Sequence, residues 1–397
     1  MPPAILVLGF GIFAQGTSEL MLAGLIPELS ADLNVSISRA GLLISGFAVG
    51  MMVGAPVLAL ATLGWPKRRA LLVFTGVFAL THLLAAATDS FAVLLATRFV
   101  GAFVYAGFWS VAATTAMALV PVDRRGRAMS VVAGGLTLAT VIGLPLGTLL
   151  GQHAGWRATF VAVAVATVVA GLAIATTVPA HIPTASASRP RDEIRALRAG
   201  RLWLSYAITA ASIAALLISF GYLGAMLLET AHAAPATVPV VLALYGVGAV
   251  AGIAMGGRLA DRRPGSILAG GTVALALASV ALAASLGHPV SAAVAAALLG
   301  AAGFVTNPAL NSRVFALAPG APTLAPAFTV AAFNAGIAAG PWLGGTLLDV
   351  GASYRALPLA GAALAVVAAA LAVADAAAAR AARRTATERP AECLTGA

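Results

Sequence analysis

The sequence contains few charged and few aromatic residues. Of its 397 residues, 9% are charged and 6% are aromatic, whereas soluble domains carry about 25% charged residues. Hydrophobic residues make up 61% of the chain, and the mean hydropathy is +1.00. The length alone would suggest two or three soluble domains, but this composition excludes them and indicates a protein that crosses a membrane several times.

Other absences exclude further classes of function. The single cysteine, Cys393, cannot form an internal disulfide. The sequence has no Gly-Lys-Ser/Thr phosphate loop and no Cys/His metal spacing, so we expect no ATP hydrolysis by this chain, no metal and no other cofactor. The polar residues are too few to assemble a nucleophile with its base, so we do not expect an enzyme.

Long apolar runs predict an all-α membrane protein with twelve transmembrane helices, since each needs about 20 apolar residues. The predicted limits are 4–27, 38–63, 69–88, 91–118, 127–151, 156–178, 202–228, 236–259, 264–286, 289–315, 324–348 and 354–375. The longest polar break, His181–Arg201, separates two halves. We therefore predict a six-helix bundle at 1–178, a cytoplasmic linker at 179–201, a second bundle at 202–375 and a disordered cytoplasmic tail at 376–397. The first run is too long for a signal-peptide core and is expected to be retained.

The basic residues are distributed unevenly between the two sets of loops. One set, together with the C-terminal tail, holds 19 of the 23 Lys and Arg residues; the opposite loops hold only Arg39, Arg157 and Arg355. The positive-inside rule then places both termini and the central loop in the cytoplasm. This asymmetry accounts for the net charge of +10, so we expect no nucleic-acid partner.

The two halves share a sequence repeat. The pattern from Gly147-Thr-Leu-Leu to Trp156-Arg-Ala recurs from Gly345-Thr-Leu-Leu to Tyr354-Arg-Ala, at an offset of 198 residues. The same offset places Ala59–Leu63 on Gly257–Asp261. Parallel six-span repeats with a binding site at their interface are typical of one large class of transporters.

Polar residues inside the apolar runs are candidates for function. Gln15, Ser18 and Glu19 lie on one face of the first span, and a carboxyl at mid-span costs about 2.5–3.5 kcal/mol on insertion scales. Arg98 lies within the fourth span, with Tyr105 and Trp109 on roughly the same face. Glu19 is the most obvious counter-charge for Arg98; a purely structural ion pair or an Arg98 that reaches the membrane surface are the alternatives.

One loop motif resembles the signature of a known family. Gly256-Gly-Arg-Leu-Ala-Asp-Arg-Arg263 is similar to the cytoplasmic loop signature of the major facilitator superfamily. The resemblance implies two pseudo-symmetric six-helix bundles and a cytoplasmic gate, with Asp261 against the start of the fifth span. The implied gating residues are Gly257, Arg258, Asp261, Arg262 and Arg127. The first-half copy has Leu63 in place of the acid, so one of the two gates lacks its carboxylate, which argues against symmetric gating. For both copies, a simple basic turn is the alternative.

A second motif, Gly143-Leu-Pro-Leu-Gly147, resembles the glycine–proline motif on the fifth span of drug antiporters in this superfamily. We expect Gly143 and Gly147 to permit close approach of the eighth span, and Pro145 to bend the helix. A generic packing motif is the alternative.

The implied fold also suggests residues that line a central cavity. The predicted substrate contacts are Gln15, Ser18, Tyr105, Trp109, Tyr245, Asn307, Asn311, Phe333 and Asn334; hydrogen bonds between helices are the alternative role for several of them. His82 is expected at the periphery as a satisfied histidine rather than a proton relay. Five acidic residues near the external helix ends are expected to be solvated: Glu28, Asp32, Asp89, Glu229 and Asp349.

The segments Phe13–Glu19 and Gly155–Phe160 resemble the bacterial chloramphenicol-efflux branch of the twelve-span drug:proton antiporters. The resemblance implies proton-coupled efflux of chloramphenicol or a similar small amphipathic drug by alternating access, in the bacterial inner membrane, with Glu19 and Arg98 in proton coupling. The expected partners are the substrate, protons and the lipid bilayer, and we expect a monomer. An exporter of sugars or nucleosides, a proton-coupled importer and a membrane protein without transport activity remain as alternatives.

Overall fold

The computed structural model describes residues 1–62, 64–121, 124–180, 200–260, 264–318 and 324–392, with 182, 195, 197, 198, 320 and 321 between them. In this part of the chain, twelve helical segments are long and apolar enough to cross a membrane, as predicted. Spans 1 to 12 are Pro3–Gly24, Ile37–Leu58, Lys67–Ala87, Phe91–Ala118, Arg127–Ala154, Trp156–Thr177, Gly200–Glu229, Thr237–Leu259, Ile267–Ser285, Pro289–Val314, Leu324–Asp349 and Ala356–Ala377. No strand occurs among the described residues.

Two spans are interrupted where a proline begins a new helix. Span 5 consists of a helix at Arg125–Leu138, a wide π-type turn at Ala139–Gly143 and a helix at Leu144–Ala154. Span 10 consists of Pro289–Phe304 and Asn307–Leu317. Pro145 and Pro308 lie in the first turn of each second helix, where a residue without a backbone N–H is tolerated. Pro145 thus lies next to an irregular turn, the position where the sequence predicts a bend.

Two further spans have short breaks toward the same side of the membrane. After the helix Pro3–Met21, span 1 ends in a 3₁₀ turn at Leu22–Gly24, followed by the helix Ile26–Asp32. Span 7 consists of Gly200–Phe220 and Leu223–Glu229.

The two halves pack their helices in the same order. In the first half, span 1 packs against spans 5 and 6, span 4 against spans 2 and 3, and span 3 against span 6. In the second half, span 7 packs against spans 11 and 12, span 10 against spans 8 and 9, and span 9 against span 12. Each pairing in one half has its counterpart six spans later, which is the arrangement that the 198-residue repeat predicts.

Hydrogen bonds join the halves toward one end of the spans, the end that carries Arg39, Arg157 and Arg355 and is called here the cation-poor side. Ser38 Oγ donates to Asp349 Oδ2 at 2.8 Å, and Ser45 Oγ donates to the Ala338 carbonyl oxygen at 2.8 Å. On the opposite flank, Gln152 Nε2 donates to the Pro235 carbonyl oxygen at 3.1 Å. The halves are therefore closed against each other on the cation-poor side.

Four of the five acidic residues that are expected to be solvated are exposed, namely Asp32, Asp89, Glu229 and Asp349, whereas Glu28 is half-buried. Some of the exposed residues also have partners. Asp32 accepts hydrogen bonds from Trp156 Nε1 at 2.9 Å and from Arg157 Nη1 at 2.5 Å. Arg157 also pairs with Asp89 at 2.6 Å. The Trp156 hydrogen bond, followed by that from Arg157, holds the pKa of Asp32 below its usual range. Span 6 is thereby tied to the two loops that precede spans 2 and 4.

The last helix runs from Ala356 to Glu392. It therefore continues past residue 375, where the sequence analysis predicts a disordered tail. The continuation is rich in alanine and arginine, and both residues have high helix propensity.

Candidate functional site

The candidate site is built around Arg98, the one charged residue in the interior of span 4. Its side chain is only 1% exposed. Nη1 donates a hydrogen bond of 2.7 Å to Ser18 Oγ on span 1, and the guanidinium carbon lies 4.1 Å from the centroid of the Phe47 ring on span 2. Ser18, Glu19, His82 and Arg98 are called here the Arg98 cluster.

Arg98 keeps hydrogen-bonding capacity that the protein does not use. Its Nε and Nη2 atoms are buried and have no hydrogen-bond partner. A neutral hydroxyl and an aromatic ring are its direct partners, and a desolvated cation–π contact contributes about 2 kcal/mol or more. Because buried donors are almost always paired in proteins, the unused nitrogen atoms make Arg98 a candidate to bind an acceptor.

Glu19 is the nearest acidic candidate for that acceptor. Its side chain is half-buried. In the described part of the chain it has electrostatic interactions with Arg98 and Tyr105 but no hydrogen bond or direct ion pair. The predicted counter-charge is therefore close to Arg98, although the two groups are not in direct contact.

Small residues allow span 1 to approach span 4 at this point. A Cβ atom on Gly11 would lie 2.6 Å from Cζ of Phe108 on span 4. A Cβ atom on Gly16 would lie 3.3 Å from the Tyr105 hydroxyl oxygen. A larger residue at either position would require the facing side chain or span 1 to shift.

The glycine–proline motif of span 5 packs differently from the prediction. A Cβ on Gly143 would lie 2.1 Å from Thr17 Oγ1, and one on Gly147 would lie 3.1 Å from Met21 Cβ. Both neighbours belong to span 1, so the motif glycines do not face span 8. The close approach of span 8 instead depends on its own Gly246, whose Cβ would lie 2.7 Å from the Thr140 carbonyl oxygen. The sequence reveals the small residues but not which neighbour they face.

Among the predicted substrate contacts of the first half, Ser18 belongs to the Arg98 cluster and Tyr105 interacts electrostatically with Glu19. Gln15 is fully buried, and neither its amide oxygen nor its amide nitrogen has a partner. Tyr105 is buried between Phe47 and Phe78, with ring centroids 6.2 Å and 6.0 Å away. Trp109 is half-buried at the edge of the core.

The predicted contacts of the second half are dispersed. Tyr245 stacks on Phe220 with ring centroids 4.3 Å apart. Asn334 Nδ2 donates to the Val330 carbonyl oxygen of its own helix, and its Oδ1 is buried without a partner. The remaining three residues are a half-buried Phe333, a half-buried Asn307 with an unpartnered Oδ1, and an exposed Asn311 that donates to the Asn307 carbonyl. No hydrogen bond or ion pair between described residues joins this set to the Arg98 cluster.

Only some of the predicted gating residues lie in the described part of the chain. Arg127 and Arg258 are exposed, and a Cβ on Gly257 would meet no atom within 4 Å. Asp261 and Arg262 lie outside the described residues, as does the predicted contact of Asp261 with span 5.

His82 does not lie at the periphery, where the sequence predicts it. It is only 2% exposed, and its Nε2 lies 2.6 Å from Ser18 Oγ. Its Nδ1 lies 2.8 Å from the Phe78 carbonyl oxygen. The expectation of a satisfied histidine is correct, but the expectation of a peripheral position is wrong, because span 3 turns this residue toward spans 1 and 4. The sequence feature that could have indicated an interior position is the occurrence of a histidine within a long apolar run.

Comparison with known proteins adds independent information. The family model described as "Major Facilitator Superfamily" matches residues 8–323. The chain is 43% identical to "Chloramphenicol resistance protein" of Streptomyces lividans, over 88% of this chain and 90% of that protein. It is 32% identical to "Inner membrane transport protein YdhP" of Escherichia coli (strain K12), over 92% of this chain and 93% of that protein. Among solved structures, a bacterial homolog of the human lysosomal transporter Spinster, in an inward-facing and unoccupied conformation, has a TM-score of 0.74, 16% sequence identity and coverage of 93% of this chain and 95% of that chain.

Proposed function

Because the chain belongs to the major facilitator superfamily, we propose that it exports chloramphenicol, or a small amphipathic drug of that kind, in exchange for protons. The protein is a transporter rather than an enzyme, and it crosses the bacterial inner membrane twelve times. The substrate and the proton coupling are the proposal.

The choice of substrate is supported by the relative of 43% identity that is named for chloramphenicol resistance. That similarity extends over 88% of this chain, and therefore includes most of both halves. A drug that crosses the membrane must be bound between the halves, so similarity in both halves supports a shared substrate better than similarity in one.

The observation that carries the proton coupling is the half-buried carboxyl of Glu19 next to a buried, incompletely paired Arg98. An ionised carboxylate near this guanidinium is stabilised by it, whereas a protonated carboxyl leaves the cation uncompensated. Substrate binding and proton binding can therefore compete at one place. In the proposed cycle, Glu19 releases its proton when substrate enters from the cytoplasm, and protonation from outside displaces the substrate.

The contacts between the halves support alternating access. The hydrogen bonds Ser38–Asp349, Ser45–Ala338 and Gln152–Pro235 close the cation-poor side, which the charge distribution predicts to be external. These bonds must break when the halves rock and the other side closes. Inward movement of one proton charge contributes about 2.3 kcal/mol per 100 mV of membrane potential to this cycle.

The proposal is tested with purified protein in liposomes that carry an imposed pH gradient. We expect accumulation of radiolabelled chloramphenicol against its concentration gradient by the wild type and none by Glu19→Gln. A competition panel of unlabelled sugars and nucleosides separates the alternative exporters, since only a true substrate reduces the uptake. Full accumulation by Glu19→Gln would contradict the role of Glu19, and accumulation in the direction of the proton flow would indicate an importer.

A further inference from the structure

We propose that His82 is a positioning residue for Arg98 and that it acts through the hydroxyl of Ser18. This inference rests on the proposed function, in which Arg98 faces the proton site at Glu19. It concerns a residue on span 3 whose hydrogen-bond partners in the described part of the chain are Ser18 and Phe78 rather than Glu19. The geometry that carries it is a continuous set of hydrogen bonds from Arg98 through Ser18 and His82 to the backbone of span 3.

The donors and acceptors in this set can each be assigned. A carbonyl oxygen can only accept, so His82 Nδ1, at 2.8 Å from the Phe78 oxygen, must carry a hydrogen. Arg98 Nη1 can only donate, so Ser18 Oγ accepts at 2.7 Å. The Ser18 hydroxyl hydrogen is then free to point at His82 Nε2, 2.6 Å away. His82 is therefore a neutral imidazole with its hydrogen on Nδ1, since a second cation beside Arg98 would be unfavourable.

The ring of His82 is held in a fixed orientation. It stacks on Phe78 with centroids 4.2 Å apart and an interplanar angle of 24°. On another side it lies against Phe160, with centroids 5.6 Å apart, and Phe160 meets Trp156 edge-on at 5.6 Å. Because span 3 and span 6 both hold the ring, Nε2 presents its lone pair to Ser18 in one direction only.

His82 fixes the orientation of the Arg98 guanidinium, including the two nitrogen atoms that have no hydrogen-bond partner. His82 orients the Ser18 oxygen, and the Ser18 oxygen orients Nη1, so the unpartnered Nε and Nη2 atoms are held in place without a contact to Glu19. Without the acceptor at His82, the Ser18 hydroxyl must rotate to find another partner, and Arg98 loses its fixed orientation. A misplacement of about 1 Å at a reacting group can reduce a rate on the order of 100-fold.

Two variants test separately the two properties of the His82 side chain, its hydrogen-bond acceptor and its aromatic ring. His82→Phe keeps an aromatic ring between Phe78 and Phe160 but has no acceptor for Ser18. His82→Gln loses the ring but offers an amide oxygen near the position of Nε2. If His82 positions Arg98, the acceptor decides the outcome, and Gln preserves more function than Phe.

The transport measurement compares two activities of the same liposomes. Uphill accumulation of chloramphenicol requires proton coupling, whereas exchange of labelled for unlabelled chloramphenicol requires only binding and alternating access. We expect His82→Phe to lose uphill accumulation by about 10-fold while exchange stays within about 2-fold of the wild type, and His82→Gln to recover most of the loss. Equal loss of both activities in His82→Phe, or no loss of either, would overturn the proposal. Absence of exchange in the wild type would count against chloramphenicol as the substrate and not against His82.

A second measurement does not depend on transport. In protein with ¹⁵N-labelled histidine, the His82 signals are identified by their absence in His82→Phe. We expect a protonated Nδ1, an unprotonated Nε2 and a change in the Nε2 shift in Ser18→Ala. A protonated Nε2, or an Nε2 shift that is unaffected in Ser18→Ala, would overturn the proposal whatever the substrate is.

Discussion

The described chain buries one arginine and one aspartate almost completely, and their surroundings differ. Arg98 in the first half and Asp375 in the second are each 1% exposed. Asp375 on span 12 accepts hydrogen bonds from Arg201 Nε at 3.1 Å and Nη2 at 3.2 Å, and it also pairs with Arg313 on span 10. Arg98 instead has a neutral serine, an aromatic ring and an acid that is close but not in contact.

The pairing of a buried charge indicates whether its role is structural or functional. Both oxygens of Asp375 have arginine partners, and the resulting cluster ties spans 7, 10 and 12 together. A buried charge with all its partners has little reason to change its protonation or its neighbours. Unpartnered nitrogen atoms alone do not distinguish the clusters, because Arg313 also has atoms without a hydrogen bond. The difference is that Arg313 forms an ion pair with Asp375, whereas Arg98 lies beside a titratable group that it does not contact, which is the arrangement expected at a functional site.

The largest expected effect is on transport, at Arg98. Arg98→Met removes a cation that the fold does not fully pair, so we expect chloramphenicol transport to fall on the order of 100-fold. The free energy of unfolding should change by less than about 1 kcal/mol or increase, because Arg98 has no carboxylate in direct contact and its removal therefore breaks no buried ion pair. Liposome transport and an unfolding titration on the same preparation test both statements. Parallel loss of folding and transport would remove the distinction between the two clusters.

The opposite result is expected at the Asp375 cluster. Asp375→Asn leaves Arg201 and Arg313 without their anion, so we expect a loss of about 3 kcal/mol in the free energy of unfolding. This is the low end of the range for breaking a buried pair, since the Arg201 side chain is 48% exposed and can be rehydrated. Transport per folded molecule should remain near that of the wild type. The control is Asp89→Asn, at a carboxylate that is 93% exposed, and an equal loss there would show that burial is not the cause.

A smaller effect is expected from a change in packing rather than in charge, at the contact between spans 1 and 5. A Cβ on Gly135 of span 5 would lie 2.1 Å from the Gly9 carbonyl oxygen of span 1, whereas one on Gly134 would meet no atom within 4 Å. We therefore expect Gly135→Ala to lose about 1–3 kcal/mol of stability through overpacking. Gly134→Ala should be neutral or slightly stabilising. Similar thermal unfolding midpoints for the two variants would contradict the close packing of spans 1 and 5.

The smallest effect concerns the exposed charges around Asp32. Its folded-state pKa is lowered, first by Trp156 and then by Arg157, so its contribution to stability is present above the unfolded pKa of about 3.9 and is lost as the pH falls through the folded value. Because the carboxylate is 45% exposed, we expect Asp32→Asn to lose less than about 1 kcal/mol at pH 7.

The difference between wild type and Asp32→Asn should disappear at acid pH. Glu28→Gln is the control, since burial raises the pKa of Glu28 and its removal should be neutral or stabilising at pH 7. A difference between wild type and Asp32→Asn that is constant from pH 7 down to about pH 3 would contradict the pairing.

The sequence predicts the twelve spans because each is a long apolar run, and the repeat at 198 residues predicts that the halves pack alike. Glu19 and Arg98 can be identified because charge inside such a run is expensive. These predictions need only the position of a residue along the chain.

The rest depends on the rotation of each helix about its axis, which the sequence does not reveal here. Most spans are apolar on all sides, so no polar face indicates which side turns inward. For this reason the sequence misplaces His82, assigns Gly143 and Gly147 to the wrong neighbour, and gives no sign that Asp375 is paired with Arg201. Contacts of these kinds are decided by packing between spans that lie far apart along the chain.

The most direct test of the account is proton release from purified protein in weakly buffered detergent after chloramphenicol is added. The wild type should release protons, since substrate and proton compete at Glu19, and Glu19→Gln should bind chloramphenicol without release. Glu28→Gln serves as a control that should behave as the wild type. Equal release by wild type and Glu19→Gln would contradict the assignment of the proton site to Glu19, and binding without release by the wild type would contradict antiport itself.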